Sequence, residues 1–388
     1  MSATATTTTS VQSPMAEIKL GAEVFHSIAS TTSEQNVITS PLLLESTLAL
    51  LFLGSDGATA EELQRLLSLK ERFTSNAKMA NYYAALLGSA TGDKDTHAQL
   101  QNRLLVQTPS AASIAADFQK IAQTYFHATA ESVDMQQTEK LRRHINELLS
   151  VLGLGEMMTE LPQTNNAGQL LLVLAARLQS KWFLPFSAYR TGLYEFHGGD
   201  GGAIAKSVPM LFDDDMFVKY AELRELNARA IELPYEHADL ELAMLLILPN
   251  QRDGLPQLEQ QLRSTDLGAL QERMQVESVQ VLLPKFTIDF ECSLRHALKE
   301  LGYVEIFGQS ANFKHLHPDV ALPIVDVLHK LRIAVHESGS ESAQPAAAYK
   351  PIVISNSSRQ KFFRADHPFF FAIRADNVTQ FMGHVVSF

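Results

Sequence analysis

The sequence predicts an α+β fold, with helices before about residue 160 and strands in most of the remainder. Apolar residues recur at helical spacing through the first part, whereas alternating or continuous apolar runs of strand length dominate the second. The chain has 388 residues, 46% of them hydrophobic and 19% charged. This composition is typical of a globular protein with enough apolar material for a large core.

The first part is predicted to contain helices at residues 15–30, 42–53, 77–91, 111–127 and 138–152, with strands at 36–41 and 100–107. The helix at 42–53 should be buried, because it is apolar nearly all round. Thr59, followed three residues later by Glu62, has the pattern of a capping box and predicts that another helix begins at Thr59. Residues 1–14, rich in Thr and Ser, are predicted to be a disordered tail.

The second part is predicted to contain strands at 170–176, 207–212, 216–222, 228–235, 242–248, 277–290, 328–336 and within 360–388, and helices at 255–264, 266–272 and 293–301. The run 170–176 is continuously apolar, which predicts a strand buried on both faces. Between the last strands lies 337–363, a long stretch of mostly small residues. A loop of this length within a compact domain is either functional or disordered.

Charge and motifs exclude several classes of function. The net charge of −11 argues against a nucleic-acid-binding protein, and no run of 18 apolar residues predicts a membrane helix. Cys292 is the only cysteine, which excludes an intrachain disulfide and a cysteine-based zinc site. No nucleotide-binding, metalloprotease or serine-hydrolase motif occurs, so we expect neither an enzyme nor a cofactor. His315 and His317 are interpreted as residues of a surface loop.

Several motifs in order along the chain resemble those of the serpin family, of metazoan type. They are NVITSPLLLESTLALLFLGSDGATAEEL from Asn36, Lys181-Trp182 with Pro185-Phe186, the runs 232–235, 244–249 and 284–286, FRADHPFFFAI from Phe363, and Phe381-Met-Gly383. The resemblance extends over residues 15–388, which we expect to form one domain. It implies three β-sheets, about nine helices and an exposed reactive-centre loop at about 337–362.

The family mechanism implied by the resemblance is suicide inhibition of a serine protease. The protease attacks the loop and forms an acyl-enzyme, and the cut loop then enters the main sheet as a new strand and distorts the attached protease. By resemblance, the hinge of the loop contains Glu337, Gly339 and Ser340. A hinge must bend and then become a strand, and glycine allows the bend.

Family spacing from Glu337 predicts the scissile bond at Val353–Ile354, within the window 352–356. A small aliphatic side chain there favours an elastase-like target. Lys350 and Arg359 are the trypsin-like alternatives, and Pro351 would hinder cleavage after Lys350 because proline fixes φ and lacks an N–H.

The resemblance also assigns residues around the sheet. Lys285 is expected to pair with Glu337 at the opening of the sheet, while Ser40 and His329 are expected in a polar cluster, the shutter, beneath its centre. Two other shutter positions, a serine and an asparagine in the family, are occupied here by Leu43 and Leu174.

The hinge also departs from the inhibitory pattern. Gln344 would face the core after insertion, and burying it without a partner costs roughly 1–3 kcal/mol. Pro345 would deprive a central strand of an N–H. The alternative prediction is therefore a non-inhibitory serpin that acts as a carrier, storage or chaperone-like protein.

The compartment remains open at this stage. The N-terminal segment lacks the charged and apolar regions of a signal peptide, which predicts a cytoplasmic protein, whereas family habit predicts the extracellular space. Asn356 and Asn377 begin N-glycosylation sequons, which matter only in the secretory pathway. We expect a monomer whose partner is a serine protease.

Overall fold

The computed structural model describes residues 15–32, 34–91, 98–108, 113–163, 168–198, 204–237, 240–340, 350–352 and 361–388. Within these ranges the α-helices are α1 (Met15–Thr31), α2 (Pro41–Gly54), α3 (Gly57–Leu66), α4 (Leu69–Arg72), α5 (Asn76–Thr91), α6 (Ala116–Phe126), α7 (Thr138–Val151), α8 (Leu255–Leu262), α9 (Leu267–Glu272) and α10 (Arg295–Glu300). Short 3-10 turns occupy Arg224–Leu226 and Glu305–Phe307.

The strands are β1 (Val37–Thr39), β2 (Ala98–Gln107), β3 (Ala128–Ser132), β4 (Gln169–Leu178), β5 (Gly192–Gly198), β6 (Ile204–Leu223), β7 (Ala228–Pro234), β8 (Leu242–Pro249), β9 (Gln275–Pro284), β10 (Phe286–Ser293), β11 (Ile324–Val335), β12 (Lys350–Pro351), β13 (Lys361–Arg364), β14 (Phe369–Ala375) and β15 (Val378–Val385). The α+β prediction is confirmed. The predicted strands at 207–212 and 216–222 form one long strand, β6, with an irregular register between Asp213 and Met216.

These strands form three sheets. The first has the order β10-β11-β4-β2-β3. The second and third sheets share the long strands β6 and β9. In the second sheet these strands lie with β5, β12 and β13. Past the bulge in β6 they continue into the third sheet, which also contains β7, β8, β14, β15 and β1. In the first sheet β4 and β11 are parallel and directly paired, and each is flanked by an antiparallel neighbour.

The first sheet is covered on both faces, which explains the continuous apolar run of β4. Its residues Leu171, Val173 and Ala175 pack against α7, whereas the alternate residues, including Leu170 and Leu172, belong to the main core. Leu141, Ile145 and Leu149 recur every four residues along α7 and supply its buried stripe.

The capping-box prediction for α3 is wrong. The helix begins at Gly57, and both predicted capping side chains instead bind a distant segment. The carboxylate of Glu62 accepts hydrogen bonds from the backbone N–H groups of residues 304, 305 and 306, and Thr59 Oγ1 accepts one from the backbone N–H of Asn312. Sequence spacing suggested a local partner, whereas the tertiary structure supplies other unpaired N–H groups.

His317 is fully buried, so its assignment to a surface loop is wrong, whereas His315 is exposed. In the part of the chain that the structure describes, no group of His, Cys, Asp and Glu side chains is arranged to hold a metal ion. Nor is any helix there long and apolar enough to cross a membrane.

Candidate functional site: the strand seam and the base of the loop

The seam between β4 and β11 is the central feature of the candidate site. Direct pairing runs from Leu170 beside Ile324 to Arg177 beside Arg332. The chain leaves β11 at its C-terminal end and turns back at residues 336–340. A strand that continued from this turn would run antiparallel to both β4 and β11, so it could form antiparallel hydrogen bonds with each.

Gly339 makes the tight turn at the base of the loop. Its φ of +141° is a conformation that L side chains rarely adopt, and a Cβ atom here would lie 2.1 Å from the carbonyl oxygen of Ser180. The close approach allows three backbone hydrogen bonds: Ser340 N–H to Ser180 O at 2.6 Å, Trp182 N–H to Ser338 O at 2.9 Å and His336 N–H to Gly339 O at 2.9 Å. The turn is therefore fixed to the segment that follows β4.

Ser340 lies in a buried contact that the sequence did not predict. Its hydroxyl is 2.9 Å from the hydroxyl of Tyr235, and the Tyr235 ring stacks on Trp182 with centroids 4.2 Å apart. Burial raises the pKa of Tyr235 well above its ordinary value, so the phenol is neutral. Trp182 Nε1 donates to the carbonyl of His336. The aromatic pair thus holds both sides of the turn.

Lys285 and Glu337 form the expected pair. Lys285 Nζ lies 2.9 and 3.1 Å from the two carboxylate oxygens, and Thr191 Oγ1 donates to the same carboxylate at 2.9 Å. Burial alone would raise the pKa of Glu337, but the hydrogen bonds from Lys285, its own backbone and Thr191 lower it overall. The pair joins the start of β10 to the end of β11. Thr191 gave no signal in the sequence.

Ser40 and His329 also lie together. The backbone N–H of Ser40 donates to His329 Nε2 at 3.2 Å, so the ring proton resides on Nδ1. Burial lowers the pKa of His329 to about 3, against a smaller contribution from the backbone of Leu174, so the imidazole is neutral. Ser40 Oγ donates to Gln380 O and accepts from the backbone N–H of Leu43 as the N-cap of α2.

Leu174 lies directly beside His329 in the register of the seam and is fully buried. Leu43 is also buried, in the first turn of α2. No side chain among the described residues is a hydrogen-bond partner of His329 Nδ1, and the contact that opposes the effect of burial is a weak hydrogen bond to the backbone of Leu174. Leu174 therefore places an apolar side chain beside this imidazole, at the position where the family's asparagine would place a polar one.

A buried lysine links the sheet to the segment that covers it, and the sequence analysis did not identify this lysine. Lys330 Nζ lies 2.9 Å from Glu291 and 3.1 Å from Asp289. Glu291 also accepts hydrogen bonds from the backbone N–H groups of Met158 and Thr159, in the segment that follows α7. The signal was a lysine within a mostly apolar strand. This cluster attaches the covering segment to β10 and β11.

Residues 341–349 and 353–360 lie outside the described residues, and with them the predictions for Val353, Ile354, Asn356, Gln344, Pro345 and Arg359. Between these segments Lys350 and Pro351 form β12, parallel to Gly192 and Leu193 of β5. Ile352 N–H donates to Leu193 O at 3.0 Å. Asn377 is exposed.

Comparison with known proteins agrees with this architecture. Residues 15–388 match the family model described as serpin (serine protease inhibitor). Serine protease inhibitor 42Dd of Drosophila melanogaster is 29% identical over 94% of this chain and 95% of its own. The leukocyte elastase inhibitor of Xenopus laevis is 28% identical over 91% and 92%.

Among solved structures, a highly specific serpin of the insect Tenebrio molitor superposes with a TM-score of 0.81. It is 25% identical, over 97% of this chain and 98% of that one. The family match over nearly the whole chain, together with the three sheets and the seam, establishes that this chain belongs to the serpin family.

Proposed function

We propose that this protein inhibits a serine protease as a suicide substrate. The observation that carries the proposal is the seam: two parallel strands lie side by side, and a long loop starts at the end where an antiparallel strand would have to enter. The family contains serine protease inhibitors, and the named relatives include two of them.

The proposed reaction begins with attack of the protease serine on the carbonyl carbon of Val353. An ester forms between the serine Oγ and that carbonyl, and the amino group of Ile354 leaves after receiving a proton. The segment from residue 341 onward is then free to move into the seam. Each inserted residue contributes backbone hydrogen bonds worth about 0.5–1.5 kcal/mol apiece.

In this proposal the residues at the base of the loop act as the hinge. Glu337 holds the end of β11 through Lys285, Gly339 turns the chain, and Ser340 is the first side chain held against the body. For the strand to extend, Gly339 must leave its positive φ and Ser340 must leave Tyr235. Ser40 contacts His329 of the seam, and the two residues link α2 and β15 to β11.

An elastase-like enzyme is the proposed target, because Val353 offers a small aliphatic side chain. The likeness to a leukocyte elastase inhibitor supports this choice. A trypsin-like enzyme is the second choice, with Lys350 and Arg359 as the alternative cleavage residues. Family habit favours action outside the cell by a monomer, and glycopeptide analysis of Asn377 in protein from its native source tests the compartment.

A non-inhibitory role is the alternative function. It is favoured by Leu174, which lies beside His329 and leaves its Nδ1 without a side-chain partner among the described residues, and by Gln344 and Pro345 in the hinge sequence. Inhibition is a race between insertion and hydrolysis, and a barrier raised by about 1.4 kcal/mol slows insertion tenfold. A chain with slow insertion would be cleaved without retaining its protease.

The experiment is to incubate the purified protein with pancreatic elastase, chymotrypsin and trypsin and to separate the products on denaturing gels. The proposal predicts a covalent complex that survives SDS, with a released C-terminal peptide that begins at Ile354. Quantitative cleavage by all three enzymes without any complex would contradict it and favour the non-inhibitory role.

A further inference from the structure

An exposed aromatic side chain lies where the loop rejoins the body. Phe362 is 43% exposed in β13, at the point where the described chain resumes after residue 360. Arg229 of β7 and Arg364 of β13 both lie over its ring, with guanidinium carbons 4.7 and 5.0 Å from the centroid. Cation–π contacts of this kind attract both guanidinium groups to the face of the ring.

The surroundings of this aromatic are positively charged, although the whole chain carries a net charge of −11. Arg229 donates from Nε and Nη2 to the neutral amide oxygen of Asn250. Arg224, Arg229 and Lys361 all act on the carboxylate of Glu222, and Glu277 is a second carboxylate near Tyr220. With Arg364, the cations around Phe362 outnumber these two carboxylates. A partner with negative charge is therefore favoured at this surface.

The position of the surface limits what can cover it. Phe362 follows Val353 by nine residues, so a fully extended chain would place it at most about 30 Å away. A protein bound at the loop typically covers about 800 Å² of its partner. Arginine and aromatic residues are enriched at the energetically dominant positions of such interfaces.

We infer that Arg229, Phe362 and Arg364 form a docking surface for the attacking protease. The protease contacts this surface through acidic residues on the rim of its active-site cleft, on the side that binds loop residues after the scissile bond. This inference rests on the proposed function, since it requires a protease at the loop. The surface acts before bond cleavage by increasing the rate of productive encounter, and its effect weakens as salt screens the charges.

The test uses two proteases that share a cleavage preference and differ in surface charge: anionic and cationic pancreatic trypsin. Val353→Arg supplies both with the same bond, and the second-order rate constant for loop cleavage is measured in low and high salt. We expect the anionic enzyme to react faster. Arg229→Glu should shift the ratio of the two rate constants about tenfold toward the cationic enzyme, and about 0.5 M NaCl should remove most of the difference.

Phe362→Ala should lower both rate constants, and the matched reversal Arg65→Glu, at an exposed arginine of α3, should leave the ratio unchanged. The rate of loop cleavage is measurable whether or not a covalent complex forms, so loss of trapping does not obscure the result. A ratio that Arg229→Glu does not alter would overturn the inference. An unaltered ratio together with weaker retention of Arg229→Glu on immobilised heparin would identify a polyanion site instead.

Discussion

Gly339→Ala tests whether the turn at the base of the loop is specific to the uncut protein. The added Cβ would lie 2.1 Å from Ser180 O and 2.6 Å from Lys181 Cα, and because both are backbone atoms no side-chain rotation relieves the overlap. The positive φ adds about 1–3 kcal/mol of strain. If the turn opens instead, the hydrogen bonds of Ser340 and Ser338 to the body are lost, at about 0.5–1.5 kcal/mol each.

We therefore expect the uncut protein to lose about 2–4 kcal/mol of its free energy of unfolding. With an unfolding entropy of about 2.1 cal/mol/K per residue, this lowers the Tm by about 2–5 °C. The cut protein should be unaffected, because after insertion residue 339 would be ordinary strand. The assay is differential scanning calorimetry of both forms at one scan rate, since unfolding of a large chain is often irreversible.

Gly88→Ala is the matched control. Gly88 lies within α5, and no heavy atom lies within 4 Å of the position that a Cβ would take there, so alanine should stabilise both forms by ~1 kcal/mol. The reasoning is refuted if Gly339→Ala leaves the uncut Tm unchanged, or if it lowers the Tm of both forms equally.

Two further changes test the contacts that hold the turn. Tyr235→Phe removes the partner of the buried Ser340 hydroxyl, at a cost of ~1 kcal/mol. A synthetic peptide of residues 341–353 should therefore enter the sheet several-fold faster, as measured on native gels. An unchanged rate would show that Tyr235 is not part of the hinge. The pKa of Glu337 is lowered in the folded protein, so its stabilising effect is present above the ordinary value of 4.5 and is lost as pH falls through the lowered pKa. Peptide entry should therefore accelerate below about pH 4.5, and Glu337→Gln should flatten this dependence; the same acid profile in both proteins would contradict the role of the pair with Lys285.

Much of the fold followed from local pattern. The apolar run of β4 was predictable because a strand buried on both faces is apolar at every position. The stripe of α7 was predictable because a helix buried on one face is apolar at helical spacing. The capping box failed because Thr59 and Glu62 found partners far away in sequence, which spacing cannot reveal. His317 was misassigned for the same reason, since its burial depends on tertiary packing.

In the candidate site, too, some contacts were predicted before the structure was known and others were not. The approach of Lys285 to Glu337, and of His329 to Ser40, was expected only through family resemblance, because these residues are far apart in the chain. The contact between Tyr235 and Ser340 was not foreseen, since a tyrosine in a strand motif gives no indication of which hydroxyl it will meet.

The central claim is that the cut loop enters the seam between β4 and β11. The most direct measurement is the thermal stability of the protein before and after limited proteolysis within the loop, with the cut located by mass spectrometry. Insertion of a new central strand predicts that the cut protein unfolds at a much higher temperature and no longer accepts the 341–353 peptide. If the cut protein melts at the same temperature as the intact protein and still accepts the peptide, the loop has not inserted and the account is contradicted.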